Sequence, residues 1–278
     1  MHTHHVSYPT HATWHQRAAM TKQIRAFFDD AGFLEVDTPI AMAAPALAAY
    51  IDVPELYIRT QEGLVRRFLQ SSPELAMKRL LAQGLCKIFQ IAPVFRTGDD
   101  TPLHTPEFRM LEWYRAHASW QEIANDCLKL LEKIACTYHQ SGLIPYKTQS
   151  IPIYAPQWIS VDQLFQRYVH FSILEYASRD ALFTRVQALG LSAENNDSWN
   201  DLYHRIWLNC IEPMLAQEPI LWVVHDFPAP LASLARLSQH DTRVAERFEI
   251  YVAGMELANG FGELTDASLQ RARFLQEN

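Results

Sequence analysis

Apolar side chains begin to recur at helical spacing after Trp14. Met20, Ile24, Phe27 and Phe28 fall on one face, and Gly32 stands where a helix C-terminal glycine belongs. Residues 33–37 then alternate as a strand does, and Thr38-Pro39 stops them because proline has no amide hydrogen to give a ladder. Residues 40–64 are alanine-rich and weakly patterned, which predicts a loop with a short strand near 56–58. Ser72-Pro73-Glu74 reads as a helix start, with serine at the cap, proline at the first helical position and glutamate against the positive helix end. That helix runs to Gly84. Residues 87–96 form a strand with Phe89, Ile91 and Phe95 on one face and Gln90, Ala92, Val94 and Arg96 on the other. Residues 108–117 form a second strand, with Phe108, Met110, Glu112 and Tyr114 sharing a face. The loop 97–106 between them carries Gly98, Pro102 and two aspartates, so the pair reads as a long antiparallel hairpin.

Residues 120–138 and 159–216 read as helical, with 145–156 as an internal linker. A buried strand begins at Ile220, another spans 243–252, Ala253-Gly254 turns the chain, and 255–264 returns. Glu249 and Glu256 stand on either side of that turn and can approach across the hairpin. Asn259, Phe261 and Glu263 alternate onto one face, and Gly260 and Gly262 permit a bulge or a close ligand. Hairpin strands with helices between and around them make an α+β fold.

Composition narrows the class. The 278 residues hold 24 basic and 31 acidic side chains, a formal charge of -7, which argues against a protein built to grip nucleic acid. No apolar run approaches the ~18 residues of a membrane span, and the first 30 residues lack the basic-then-apolar order of a signal peptide. The four cysteines are scattered, as reduced thiols are in a cytoplasmic protein. Residues 1–13, with His2, His4, His5 and His11 and with His15 just beyond, read as a disordered tail or as a metal-binding one.

One sheet face gathers Glu74, Arg96, Glu112, Tyr114, Glu249, Glu256, Asn259 and Glu263. Buried carboxylates are costly unless they meet cations or donors, so the cluster predicts a divalent metal, an amine, or both. Arg96 and His104 on the hairpin loop suit phosphate. Magnesium triphosphate with a diamino acid satisfies this inventory; glutamates facing solvent on exposed strands are the plainer alternative.

Four segments carry a family resemblance. GFLEVDTP (32–39) resembles motif 1 of the class II aminoacyl-tRNA synthetases, and FRTGDDTPLHTPEFRMLEWY (95–114) resembles motif 2. SSPELAMKRLL (71–81) and ERFEIYVAGMELANGFGELTD (246–266) resemble the lysyl group's substrate segments. Over residues 14–278 the chain is similar to one catalytic domain of that class, an antiparallel sheet flanked by helices. MLEWYRAH, SLARLS and HDTRVAERFEIYVAGMELANGF resemble the elongation factor P lysine ligases more than the tRNA-charging enzymes, and only about a dozen residues precede the first helix, where a lysyl-tRNA synthetase carries an anticodon-binding domain.

The resemblance implies that ATP activates (R)-β-lysine, or lysine, as an adenylate and that the acyl group passes to a lysine of elongation factor P. It implies Arg96 on the α-phosphate, His104 on the distal phosphates, Phe108 on adenine, and Glu249 and Glu256 on magnesium. Glu74, Glu112, Tyr114, Asn259 and Glu263 would bind the substrate's amines, with Phe261 walling its slot. It also implies a cytoplasmic homodimer through the motif 1 helix, with neither tRNA nor membrane as partner. Three departures stand out. FRTGD replaces the commoner FRNE, moving an acidic contact to Asp99; Thr105 replaces an asparagine; and the C-terminally truncated sequence ends at Asn278 before any motif 3. The last predicts weak or absent activity for this 278-residue form. A tRNA-charging enzyme and a non-catalytic ATP- or amino-acid-binding paralogue remain the alternatives.

Overall fold

The structure, a computed structural model, describes residues 10–45, 51–97, 104–139 and 142–277. The chain divides into two compact units, residues 1–117 with 274–278 and residues 118–273, where the sequence reading has one domain.

The first unit contains α1 (His11–Asp30), β1 (Leu34–Glu35), β2 (Ala41–Met42), β3 (Glu55–Thr60), β4 (Gly63–Leu69), α2 (Glu74–Ala82), β5 (Lys87–Phe95) and β6 (Glu107–Arg115). Helix α1 starts three residues before Trp14 because Thr10 caps it: the Thr10 Oγ1 accepts from the Thr13 amide at 3.3 Å. Residues 11–13 are therefore helical and not tail; His2, His4 and His5 lie outside the described residues. Phe28 is fully buried and stacks on Phe89 with ring centroids 4.7 Å apart, fixing α1 on the sheet. The strand expected over 33–37 shrinks to two residues, parallel to β5. In contrast, β5 and β6 pair antiparallel over their full length, from Lys87 opposite Arg115 to Phe95 opposite Glu107. The short strand expected near 56–58 is β3, and it belongs to a sheet in the order β2-β4-β3 whose other strands the sequence reading did not place. Nearly all of β3 is exposed.

The second unit contains α3 (Trp120–Tyr138), β7 (Leu143–Tyr146), β8 (Gln149–Pro152), β9 (Gln157–Ser160), α4 (Val161–Val169), α5 (Arg179–Ala188), α6 (Trp199–Ile206), α7 (Glu212–Gln217), β10 (Leu221–Pro228), β11 (Val244–Val252) and β12 (Met255–Phe261); α8 (Ala267–Glu277) begins in it. The expected linker at 145–156 holds the β7–β8 hairpin. Ser119 and Glu122 form a reciprocal cap that starts α3. The main sheet runs β12-β11-β10-β9, antiparallel except for the β9–β10 pair. Its largest core joins Phe165, Tyr203, Ile206 and Trp207 from the helices to Trp222, Val224 and Tyr251 from the sheet. A π-helical turn, Trp207–Ile211, links α6 to α7. It precedes Pro213, which has no N–H to continue the ladder.

Candidate active site

In the first unit the segment before α2 organises the site. Helix α2 begins at Glu74, one residue later than the sequence predicts, with Pro73 at its cap position. Ser72 still serves that end: its Oγ accepts the Glu74 amide at 3.0 Å and donates to Glu112 Oε1 on β6. Tyr114 Oη donates to the other oxygen, Glu112 Oε2, at 2.9 Å. One turn along α2, Lys78 Nζ donates to Glu74 Oε1 at 2.6 Å. Burial pushes the Glu112 carboxyl up to about 7; the Ser72 bond pulls it down, the charge of Glu74 pushes it up, and the Tyr114 bond and the Lys78 charge pull it down. The neighbouring Ser71 offers its carbonyl to Arg96 Nε at 3.3 Å. The Arg96 guanidinium lies 5.6 Å from the centroid of Phe108. This unit thus brings Glu74, Glu112 and Tyr114 together, and separately Arg96 with Phe108. His104 is exposed, and Asp99 lies outside the described residues.

In the second unit the β11–β12 register decides which side chains share a face. Glu256 pairs with Tyr251, whereas Asn259 pairs with Glu249 and Phe261 with Arg247; the register shifts between these pairs, leaving Leu257 as the extra residue. A one-residue slip reverses the facing of everything beyond it. The bulge therefore brings Asn259 and Phe261 onto the face that carries Glu249. Glu249 and Glu256 share that face diagonally, Glu249 opposite Asn259 and Glu256 opposite Tyr251.

Glu249 is 5% exposed and heavily bonded. Its Oε1 accepts from Arg247 Nη2 at 2.6 Å and from Asn259 Nδ2 at 3.5 Å, and its Oε2 accepts from Tyr251 Oη at 2.6 Å. Arg247 is itself fixed, donating from Nη1 to the Leu231 carbonyl at 2.9 Å and lying 4.6 Å from the Phe227 ring centroid. Burial and the Glu249 charge raise the Tyr251 hydroxyl, which keeps it a donor. Burial, then Glu249, also raises Glu212 at the start of α7.

The other residues singled out on this hairpin also have neighbours within the unit. Phe261 packs with Ala232, Ala235 and Ala245, a small core. Glu263 bridges to Ala235 beyond the end of β12. The glycines serve packing: a Cβ at Gly260 would stand 2.6 Å from the Phe248 ring, and one at Gly262 would meet Glu246 and Arg236. The sequence reading missed Ser72 as a carboxyl donor, Lys78, Arg247 and Tyr251. Three of these had signals available, since Lys78 follows Glu74 at helical spacing and Arg247 and Tyr251 alternate with Glu249 along one strand face.

Among the described residues no group of three or more His, Cys, Asp or Glu could hold a metal. Magnesium bound with nucleotide needs only one or two carboxylates. A carboxylate has about four acceptor positions; three at Glu249 are taken, so it fits one further bond beside exposed Glu256.

The family model of the class II tRNA synthetases (D, K and N) matches residues 3–278. The chain belongs to that family, and its antiparallel sheets with flanking helices are that class of fold. Within it, the chain is 37% identical over 268 residues to the elongation factor P–(R)-β-lysine ligase of Edwardsiella ictaluri, covering 95% of this chain and 77% of the relative. The ligase of the same name from Haemophilus influenzae is 37% identical over 266 residues, covering 95% and 76%. That of Mannheimia succiniciproducens is 36% identical over 265 residues, covering 94% and 76%.

Proposed function

We propose that this chain activates (R)-β-lysine with ATP and transfers it to a lysine side chain of elongation factor P. The observation that carries the reading is Glu112: a carboxyl held by two hydroxyls, beside a second carboxylate, with its protonation poised near pH 7. An ammonium group is the guest that such a carboxyl lacks. The ligase names of the relatives supply the matching substrate.

The substrate carboxylate attacks the α-phosphorus of ATP, and pyrophosphate leaves. The ε-amine of the acceptor lysine then attacks the acyl carbon, AMP leaves, and an amide forms. Arg96 binds the α-phosphate and spreads its charge as bonds change; His104 takes the distal phosphates and Phe108 the adenine. Glu74, Glu112 and Tyr114 orient the substrate's amines, and the resemblance assigns Asn259 and Glu263 to amines and Phe261 to the substrate side chain as well. Glu249 and Glu256 would hold magnesium, which would supply neutralisation of the phosphate charge. No protein nucleophile is required, so positioning and electrostatics supply the rate.

The exposed Trp14, Met20 and Leu34 of α1 and β1 support a homodimer through this face, which sedimentation would register as twice the chain mass. No helix among the described residues is long and apolar enough to cross a membrane, which fits work in the cytoplasm beside the translation machinery. The test is ATP–pyrophosphate exchange with (R)-β-lysine and L-α-lysine offered separately, followed by transfer of labelled β-lysine to elongation factor P. Weak exchange, slowed as the absence of motif 3 from these 278 residues predicts, that prefers β-lysine and vanishes in Glu256→Gln is expected. Transfer to tRNA instead, or no exchange from folded protein, overturns the reading.

A further inference from the structure

We propose that His11 and His15 form a two-imidazole site for a borderline divalent metal ion, zinc in the first instance, on the exposed first turns of α1. The two residues stand four apart in a helix whose start is fixed by the Thr10 cap. Side chains at that spacing lie one above the other on the same face. Here they converge through the same atoms: His11 Nε2 and His15 Nε2 are 3.3 Å apart, with ring centroids at 4.4 Å and ring planes inclined by 57°.

Without metal the two nitrogens are within hydrogen-bond reach of each other, one ring donating and the other accepting. Their separation matches the bite of a tetrahedral metal: zinc–imidazole bonds of about 2.0–2.1 Å at the tetrahedral angle place two nitrogens about 3.3 Å apart. A right-angled, square-planar pair of bonds of similar length would bring them to about 2.9 Å, so the spacing favours zinc over copper(II) or nickel(II). Both rings are exposed, so neither must be desolvated and water can fill the remaining positions.

One term opposes the site. The N-terminal end of a helix is positive, and no acidic residue stands in this first turn, which disfavours a cation there modestly. Two direct nitrogen–metal bonds outweigh that, and the metal would staple the first turn of α1. Protons compete for the same nitrogens, so affinity falls on acidification. Neither histidine belongs to the residues proposed for ligase chemistry, and the site stands or falls independently of it.

The test is zinc titration of the full chain against a chromophoric chelator, with thiols kept reduced and a Cys86→Ser, Cys136→Ser background to silence the two exposed cysteines. Wild type should bind one zinc, and His11→Ala or His15→Ala should each weaken it by roughly tenfold or more. The decisive variant pairs His15→Ala with Gln16→His, which keeps the number of histidines but moves the second ring off the face. It should bind no better than the single variants. Far-UV circular dichroism confirms that α1 persists in each. Unchanged zinc affinity in the His11→Ala, His15→Ala double variant, or retained affinity in the displaced variant, overturns the proposal and assigns any binding to other residues.

Discussion

The carboxylates of the two units are prepared in opposite ways. Glu249 is almost wholly buried yet arrives with its own cation: Arg247 at 2.6 Å, supported by the Tyr251 and Asn259 donors. Glu112 is half-buried and, among the described residues, is bonded by the hydroxyls of Ser72 and Tyr114, while the Lys78 ammonium is bonded to Glu74 instead. Burial depth alone would rank them the other way. What separates them is whether the protein supplies the counter-charge or leaves it to a guest. A carboxylate already paired is a fixed strut with capacity left for a metal bond; one left unpaired near pH 7 is a receptor for an amine.

Breaking the paired side should have the largest effect. Arg247→Met leaves Glu249 buried without its cation, which should cost about 3–5 kcal/mol of stability in chemical denaturation. Adding Glu249→Leu should restore much of it, because the two residues act as one unit. The rescue distinguishes a stranded charge from simple loss of packing.

The unpaired side should respond through pH. The folded pKa of Glu112 is raised, from 4.5 to about 7, so the native protein holds an extra proton between those values. The stability from this group is fully present below pH 4.5 and is lost as pH rises through 7, about 3 kcal/mol in all. Glu112→Gln should flatten that slope in denaturation curves taken from pH 5 to 8, and should weaken lysine binding by roughly 30-fold or more, the worth of a charge-assisted bond. Lys78→Met should be milder. It removes a charge that lowers the Glu112 carboxyl, so the midpoint of pH-dependent lysine binding should move upward. Smallest is Ser72→Ala: losing one donor should raise the same midpoint and cost about 1 kcal/mol of stability.

How far the sequence carried this comparison depended on pattern strength. The β5–β6 and β11–β12 hairpins were legible because apolar residues alternate through them. The SSPE helix start was legible because serine, proline and glutamate each have a positional reason to be there. Of the β3–β4 hairpin only the short strand near 56–58 was legible, since Tyr57, Ile58 and Leu64 are exposed and no buried face imposes a period on the rest. The β7–β8 and β9 strands are four residues each, too short to rise above their prolines. At the site, carboxylates were easier to find than their partners. A bulge at Leu257, invisible in the pattern, decides that Asn259 faces Glu249. Arg247 is not among the residues the sequence analysis singles out, although its two-residue spacing from Glu249 already places both on one face.

The claim that Glu112 awaits a cation is tested most directly by proton release. Lysine or (R)-β-lysine can be titrated calorimetrically into the protein at pH 6 in buffers of differing ionisation enthalpy. With a carboxyl at about 7, binding of an ammonium group should expel close to one proton from wild type and none from Glu112→Gln. Binding without proton release, or equal affinity and release in the variant, would contradict the account.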